Sequence, residues 1–166
     1  MSAIGDKLRA LEYAPNFDAE NAVDPADMLR QLTELTQVAL PEDYKTFLAE
    51  FPSTGLFDVG IFSTGLTKAL GVPSGQYPVE VLYAASSKKR EDLLSLRKRQ
   101  ATESEIPLYL LRIGADPGGD YYCMDLRPEG FGKVHYLSSE VPVEEGLFLV
   151  ANDFGSFIEN LWRNEQ

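Results

Sequence analysis

Apolar residues recur along the chain with two different periods, and the change from one to the other divides it into helices and strands. After Asp24-Pro25, with Asp27 in the first turn, Met28, Leu29, Leu32, Leu35 and Val38 or Ala39 fall at helical spacing, and Asp24 suits the N-cap. A second helix is predicted over 41–51, where Tyr44, Phe47, Leu48 and Phe51 stand at i, i+3, i+4 and i+7 and share one face. Pro52 and Gly55 stop it. Glycines at 60, 65, 71 and 75, with Pro73 and Pro78, make residues 52–78 read as an irregular connection holding at most short elements. Residues 79–84 read as a strand. Ser86 or Ser87 then caps a charged helix that carries Leu93, Leu94 and Leu96.

Beyond residue 105 the period shortens. Segments 106–113, 121–126 and 134–137 read as strands parted by turns of Gly, Asp and Pro, and the intervals are too short for crossover helices, which predicts an antiparallel meander. Residues 147–150 form a further short strand. Phe154, Phe157, Ile158, Leu161 and Trp162 line one face of a closing helix that Asn152 or Asp153 caps. At the other end, Ile4, Leu8 and Leu11 either line a short helix before Pro15 or belong to a peripheral arm over 1–23. The expected fold is α+β: one domain over 1–166, with a largely antiparallel or mixed sheet flanked by helices.

Size and composition fit that expectation. The 166 residues are 44% hydrophobic, and at this length a compact chain buries about two-thirds of its extended surface, enough for a core without a staple. Cys123 is the only cysteine, which rules out an intramolecular disulfide and any cysteine-rich zinc site. No early stretch has the build of a cleaved signal, and no segment reaches 18 apolar residues in a row, so the expected location is the cytoplasm.

Charge adds a direction. Fifteen basic and 26 acidic side chains give a formal net charge of -11, and residues 101–166 hold four of the former and twelve of the latter. Such a field favours encounter with a basic protein and opposes nucleic acid and anionic membrane. Lys88, Lys89, Arg90, Arg97, Lys98 and Arg99 make the one basic stretch, which reads as a solvated helix face because it lacks the aromatics of a nucleic-acid groove.

Candidate chemistry is thin. No phosphate loop, dinucleotide fingerprint or zinc-protease helix is present, and Gly114, Gly118 and Gly119 precede a strand where a phosphate loop needs a helix. Asp116, Asp120, Asp125 and Glu140, with His135 nearby, are the oxygen-rich group. Their spacing matches no EF-hand, one histidine is too few for zinc, and turn-holding aspartates account for them, so no metal and no cofactor is expected. Cys123 and His135 lie in strands without triad context and read as structural.

Four motifs occur in an order that resembles the SMI1/KNR4 family of the SUKH superfamily. They are Leu40-Pro41-x-x-Tyr44-x-x-Phe47-Leu48; Ile113-Gly114-x-Asp116-x-Gly118-Gly119-Asp120, running into Tyr122-Cys123-x-Asp125-Leu126; Gly132-x-Val134-x-Tyr136 through to Glu140; and Ala151, Phe154 and Phe157. Two places depart from the family's habit. Pro52-Ser53-Thr54-Gly55 stands where Asn-Gly-Gly is common, and Ser138-Ser139 where Asp-His is common. The resemblance implies a non-catalytic α+β domain that, in bacteria, binds and neutralises a cognate polymorphic toxin, for example a nuclease. On that reading Asp116, Asp120, Asp125, Glu140, Glu144 and Glu145 steer or contact a toxin with a basic surface, and Tyr121 or Tyr136 anchors it where strand alternation leaves the ring outside. The alternatives are an intracellular scaffold or regulatory binding module, and a metal-dependent hydrolase built on Asp116, Asp120 and Glu140.

Overall fold

Residues 2–15, 23–67, 76–85, 92–103 and 105–164 are described by a computed structural model. The chain runs α1 (Ala3–Ala10), β1 (Ala14–Pro15), α2 (Pro25–Thr36), α3 (Glu42–Glu50), β2 (Gly55–Thr64), β3 (Gln76–Leu82), α4 (Leu93–Glu103), β4 (Leu110–Ala115), β5 (Tyr121–Asp125), β6 (Val134–Leu137), α5 (Val143–Gly146), β7 (Leu147–Ala151), α6 (Phe154–Glu159) and β8 (Leu161–Arg163). Among the described residues, eight strands form one antiparallel sheet in the order β1 to β7, with β8 paired beside β1 on β2. The sheet curls. Just past β2, the N–H groups of Leu66 and Thr67 donate to Val150 and Leu149 of β7 at 3.1 and 3.0 Å, so the two ends of the strand order meet. The fold is therefore an α+β domain with a curled antiparallel sheet and flanking helices.

The meander over β4 to β7 follows the predicted order, and β4–β6 are buried on both faces. Leu111, Ile113, Tyr122, Met124, Val134 and Tyr136 alternate into the main core, while Leu110, Cys123 and Leu137 pack a smaller cluster on the reverse, which explains the unbroken apolar run of β4. That strand starts at Leu110, later than the pattern suggests, because Leu108 and Tyr109 form a turn. At Gly114 a Cβ would collide with the Val81 carbonyl, so the glycine is what lets β4 close on β3.

Helices α1, α3 and α6 pack together, and α2 bridges α3 to α4, which lies against β4. A chain of aromatic rings runs through the core. Tyr13, Phe51, Phe47, Phe154, Phe157, Tyr122, Tyr136 and Tyr77 follow one another at centroid separations of 5.1 to 6.2 Å. It joins the helical layer to the β4–β5 turn. Two carboxylates hold the start of α6: Asp153 accepts from Ser156 N–H at 2.7 Å and Asp43 of α3 from Gly155 N–H at 2.8 Å.

Five local expectations change or are resolved. Residues 52–78 are not merely a connection, since β2 is ten residues long and pairs with β1, β3 and β8; positions 68–75 lie outside the described residues. The closing helix ends at Glu159, and Leu161 and Trp162 turn into β8, because the chain there completes the sheet beside β2. Asp24 occupies the N-cap of α2 and Pro25 its first turn, but the Asp24 side chain makes no capping bond. Of the basic stretch, Lys88, Lys89 and Arg90 lie outside the described residues, and Arg97 is not solvated. Only 5% exposed, it donates to the carbonyls of Leu110 and Leu108 at 3.3 and 2.7 Å and pins α4 to the sheet with Gln100. Residues 3–15 are no loose arm: Leu8, Leu11 and Tyr13 are buried and Ala14–Pro15 joins the sheet.

Candidate interaction surface

The β4–β5 turn is organised by its own aspartates. Asp116 N–H donates to the Asp120 carbonyl at 2.9 Å, and the Asp116 carboxylate accepts from Asp120 N–H at 2.8 Å. Gly119 takes φ +94° with open space where a Cβ would stand, so conformation alone requires glycine there. From β6 the Tyr136 hydroxyl reaches Asp116 Oδ2 at 2.7 Å and Asp120 Oδ2 at 2.8 Å, and Ser139 N–H donates to Asp120 Oδ1 at 2.8 Å. One hydroxyl proton serves two carboxylates, so it bonds to one at a time. Burial and both hydrogen bonds push the Tyr136 hydroxyl well above the usual phenol value. Partial burial pushes Asp120 up, but the bonds from Ser139 and Tyr136 outweigh it and hold the carboxyl below the usual value.

Asp125 has a different task. Its carboxylate accepts from Arg127 through the backbone N–H at 2.9 Å, Nε at 3.1 Å and Nη2 at 3.0 Å, while its own backbone closes the loop to Gly132 and Lys133. Burial opposes the charge, yet Arg127 outweighs it and lowers the pKa. The Arg127 guanidinium also lies 4.0 Å from the centroid of the Tyr109 ring.

These bonds sort the expected contact residues. Asp116, Asp125 and Tyr136 are 8%, 2% and 5% exposed, so their polar atoms hold the fold and are not free to meet a partner. Tyr136 is not an outside anchor, because strand alternation turns it into the core. Asp120 and Tyr121 are half-buried, the latter with the Arg112 guanidinium 5.0 Å from its ring centroid. Glu140, Glu144 and Glu145 are exposed on the β6–β7 connection, the last two within the short helix α5. The network links Asp116, Asp120, Tyr136 and Ser139, which precedes Glu140 directly.

Neither Cys123 nor His135 is poised for chemistry. Cys123 is fully buried, and burial pushes its thiol up to about 12. His135 is half-buried with no hydrogen-bond partner on either ring nitrogen, and burial, the largest influence, lowers its pKa. The Asp116 and Asp120 carboxylates are engaged by Tyr136, Ser139 and their own turn, an arrangement that stabilises a loop and presents no base to a substrate. Among the described residues no three His, Cys, Asp or Glu side chains gather as a metal would require. No described helix is long and apolar enough to cross a membrane.

One surface is missed by the sequence pattern. The outward positions of β2 and β3 expose Phe62, Pro78 and Glu80 beside the bulged segment that carries Asp58 and Val59. The run Phe57, Val59 and Ile61 alternates with a strand's period, a signal masked by the density of glycines around it.

A search among curated proteins finds no match. A family model described as the SMI1/KNR4 family (SUKH-1) matches residues 25–160, from the first residue of α2 to just past α6.

Proposed function

Because the chain belongs to the SMI1/KNR4 family (SUKH-1), we propose that it is a non-catalytic immunity protein that acts in the cytoplasm by binding and neutralising a cognate toxin. The match over residues 25–160 is the observation that carries this reading, since membership supports a toxin-neutralising role in general terms. The charge supplies a mechanism. With a net charge of -11 and exposed carboxylates at Glu140, Glu144 and Glu145, the protein attracts a basic partner and covers its active site or substrate path. A nuclease toxin fits this mechanism well, because it must present positive surface to hold phosphate, and an acidic inhibitor competes in the same field. The half-buried Tyr121, with the Arg112 guanidinium 5.0 Å from its ring centroid, offers an aromatic contact.

Expression of the toxic protein encoded beside this gene, with and without this chain, tests the reading. Host survival restored by co-expression, together with recovery of a one-to-one complex from purified components, is the expected result. Toxicity that persists with no complex formed contradicts it and favours a scaffold role.

A further inference from the structure

Trp162 of β8, Phe62 of β2 and Pro78 of β3 stand directly opposite one another across three strands on an outward face of the sheet. The Trp162 and Phe62 rings stack at 5.2 Å between centroids, and both side chains remain half-exposed. Trp162 is further fixed by its indole N–H, which donates to Thr64 Oγ1 at 3.2 Å. Beside this row the register of β2 against β3 breaks between Leu56 and Ile61, and the bulged residues stand away from the sheet. A groove of about 240 Å³ lies between the bulge and β3, and Pro117 of the Asp116–Asp120 turn also lines it. Val59, 39% exposed, adds an apolar wall.

Two carboxylates line the same groove. Asp58 is exposed and Glu80 half-buried, and neither pairs with a cation or a hydrogen-bond donor among the described residues. Several carboxylates are paired with a cation, Asp27 and Glu34 with Arg30, Glu12 with Arg163, Glu50 with Arg9 and Asp125 with Arg127, whereas Asp58 and Glu80 share with Glu140, Glu144 and Glu145 the lack of one among the described residues. Phe62, held by its stack on Trp162, lines one concavity with the apolar Val59 and Pro78 and two carboxylates that have no partner, a set complementary to a cationic side chain with an apolar neighbour.

We propose that this groove is the seat of the toxin, and that it takes a protruding loop on which a Lys or Arg is flanked by an apolar or aromatic residue. The assignment rests on the toxin-neutralising reading and gives it a place on the molecule. The cation sits between Asp58 and Glu80, its neighbour packs on Phe62 and Val59, and the Asp116–Asp120 turn fixes the wall at Pro117. The aspartate and tyrosine network thus acts at one remove, by holding the turn that shapes the groove.

The test uses the full chain and the toxic protein encoded beside it, in inactivated form for binding and in active form for host survival. Asp58→Lys with Glu80→Lys reverses the groove's charge at positions away from the core, and circular dichroism and thermal unfolding establish that the double variant folds. Asp58→Asn with Glu80→Gln removes charge at nearly constant shape. The chain's one tryptophan is Trp162, so 5-fluorotryptophan labelling gives a single 19F resonance at the groove's edge. The expected result is a shift of that resonance on complex formation, with affinity reduced roughly tenfold or more by the reversal and less by the neutral pair. Wild-type affinity and protection in both folded variants, with an unmoved resonance, overturn the groove and leave toxin neutralisation standing. Wild-type protein that neither binds nor protects overturns both together.

Discussion

Tyr136 places one hydroxyl within reach of two carboxylates, so its replacement by Phe removes the donor that the buried Asp116 and half-buried Asp120 share. An unsatisfied buried polar group costs about 1–3 kcal/mol, and Tyr136→Phe is expected to lower unfolding stability by that amount in urea titration, without loss of the fold. Acid acts on the same bonds. Asp120 and Asp125 are both depressed below the usual aspartate value of 3.8, so their contribution is complete above that value and is lost as pH falls through their lower folded-state values. Stability should decline steeply on acidification below about pH 4, and Asp120→Asn should flatten that decline. Gly119→Ala should cost roughly 1–2 kcal/mol from its positive φ alone, because the space around it is open. At this scale the sequence was informative about residue type and silent about direction. Aspartates in a glycine-rich turn announced a turn, yet only the register of β6 against β5, which sets Tyr136 opposite Tyr122, reveals that the bond between strands comes from Tyr136.

Elements with an uninterrupted period were legible. The stripe of α3 buries Tyr44, Phe47 and Leu48 as its spacing requires, and the short intervals between β4, β5 and β6 left room only for a meander. Where two periods adjoin, the reading blurred. Phe154 to Trp162 keeps helical spacing on paper, but the chain leaves the helix after Glu159 and Trp162 stacks on Phe62 in β8. Nothing local marks that switch, since it is driven by the pairing of β8 with β2, a hundred residues away in the chain. Glycine hid β2 in a different way: Gly55 at its start and Gly65 just past its end leave no room for a Cβ beside Tyr13 and Tyr77, and with Gly60 their number imitates a loop. Two consequences follow for the elements. Phe154→Ala interrupts the aromatic chain at the joint between α3 and α6 and should cost about 3–5 kcal/mol in equilibrium unfolding. Trp162→Ala, on a half-exposed strand, should cost markedly less while weakening toxin binding, which separates the surface role of that ring from the structural role of its neighbours.

For the molecule as a whole, the rigid sheet and the acidic surface divide the work. The curl that brings Thr67 to β7 and the ring chain that ties helices to the β4–β5 turn give a frame with little to rearrange on binding. Upon it stands a net charge of -11, and if the proposed toxin presents a basic surface, association should fall with added salt mainly through a slower on-rate. Stopped-flow association at two ionic strengths checks this, and a salt-independent on-rate would remove charge steering from the mechanism. The overall charge and the family motifs were open to reading from the sequence. The groove was not, because its walls come from β2, β3 and the Asp116–Asp120 turn, which only the folded sheet brings together. The central claim is stoichiometric neutralisation, and its most direct measurement is a titration of the toxin's own activity with this protein. The account predicts a linear fall to complete inhibition at one equivalent; full toxin activity in the presence of excess protein would contradict it.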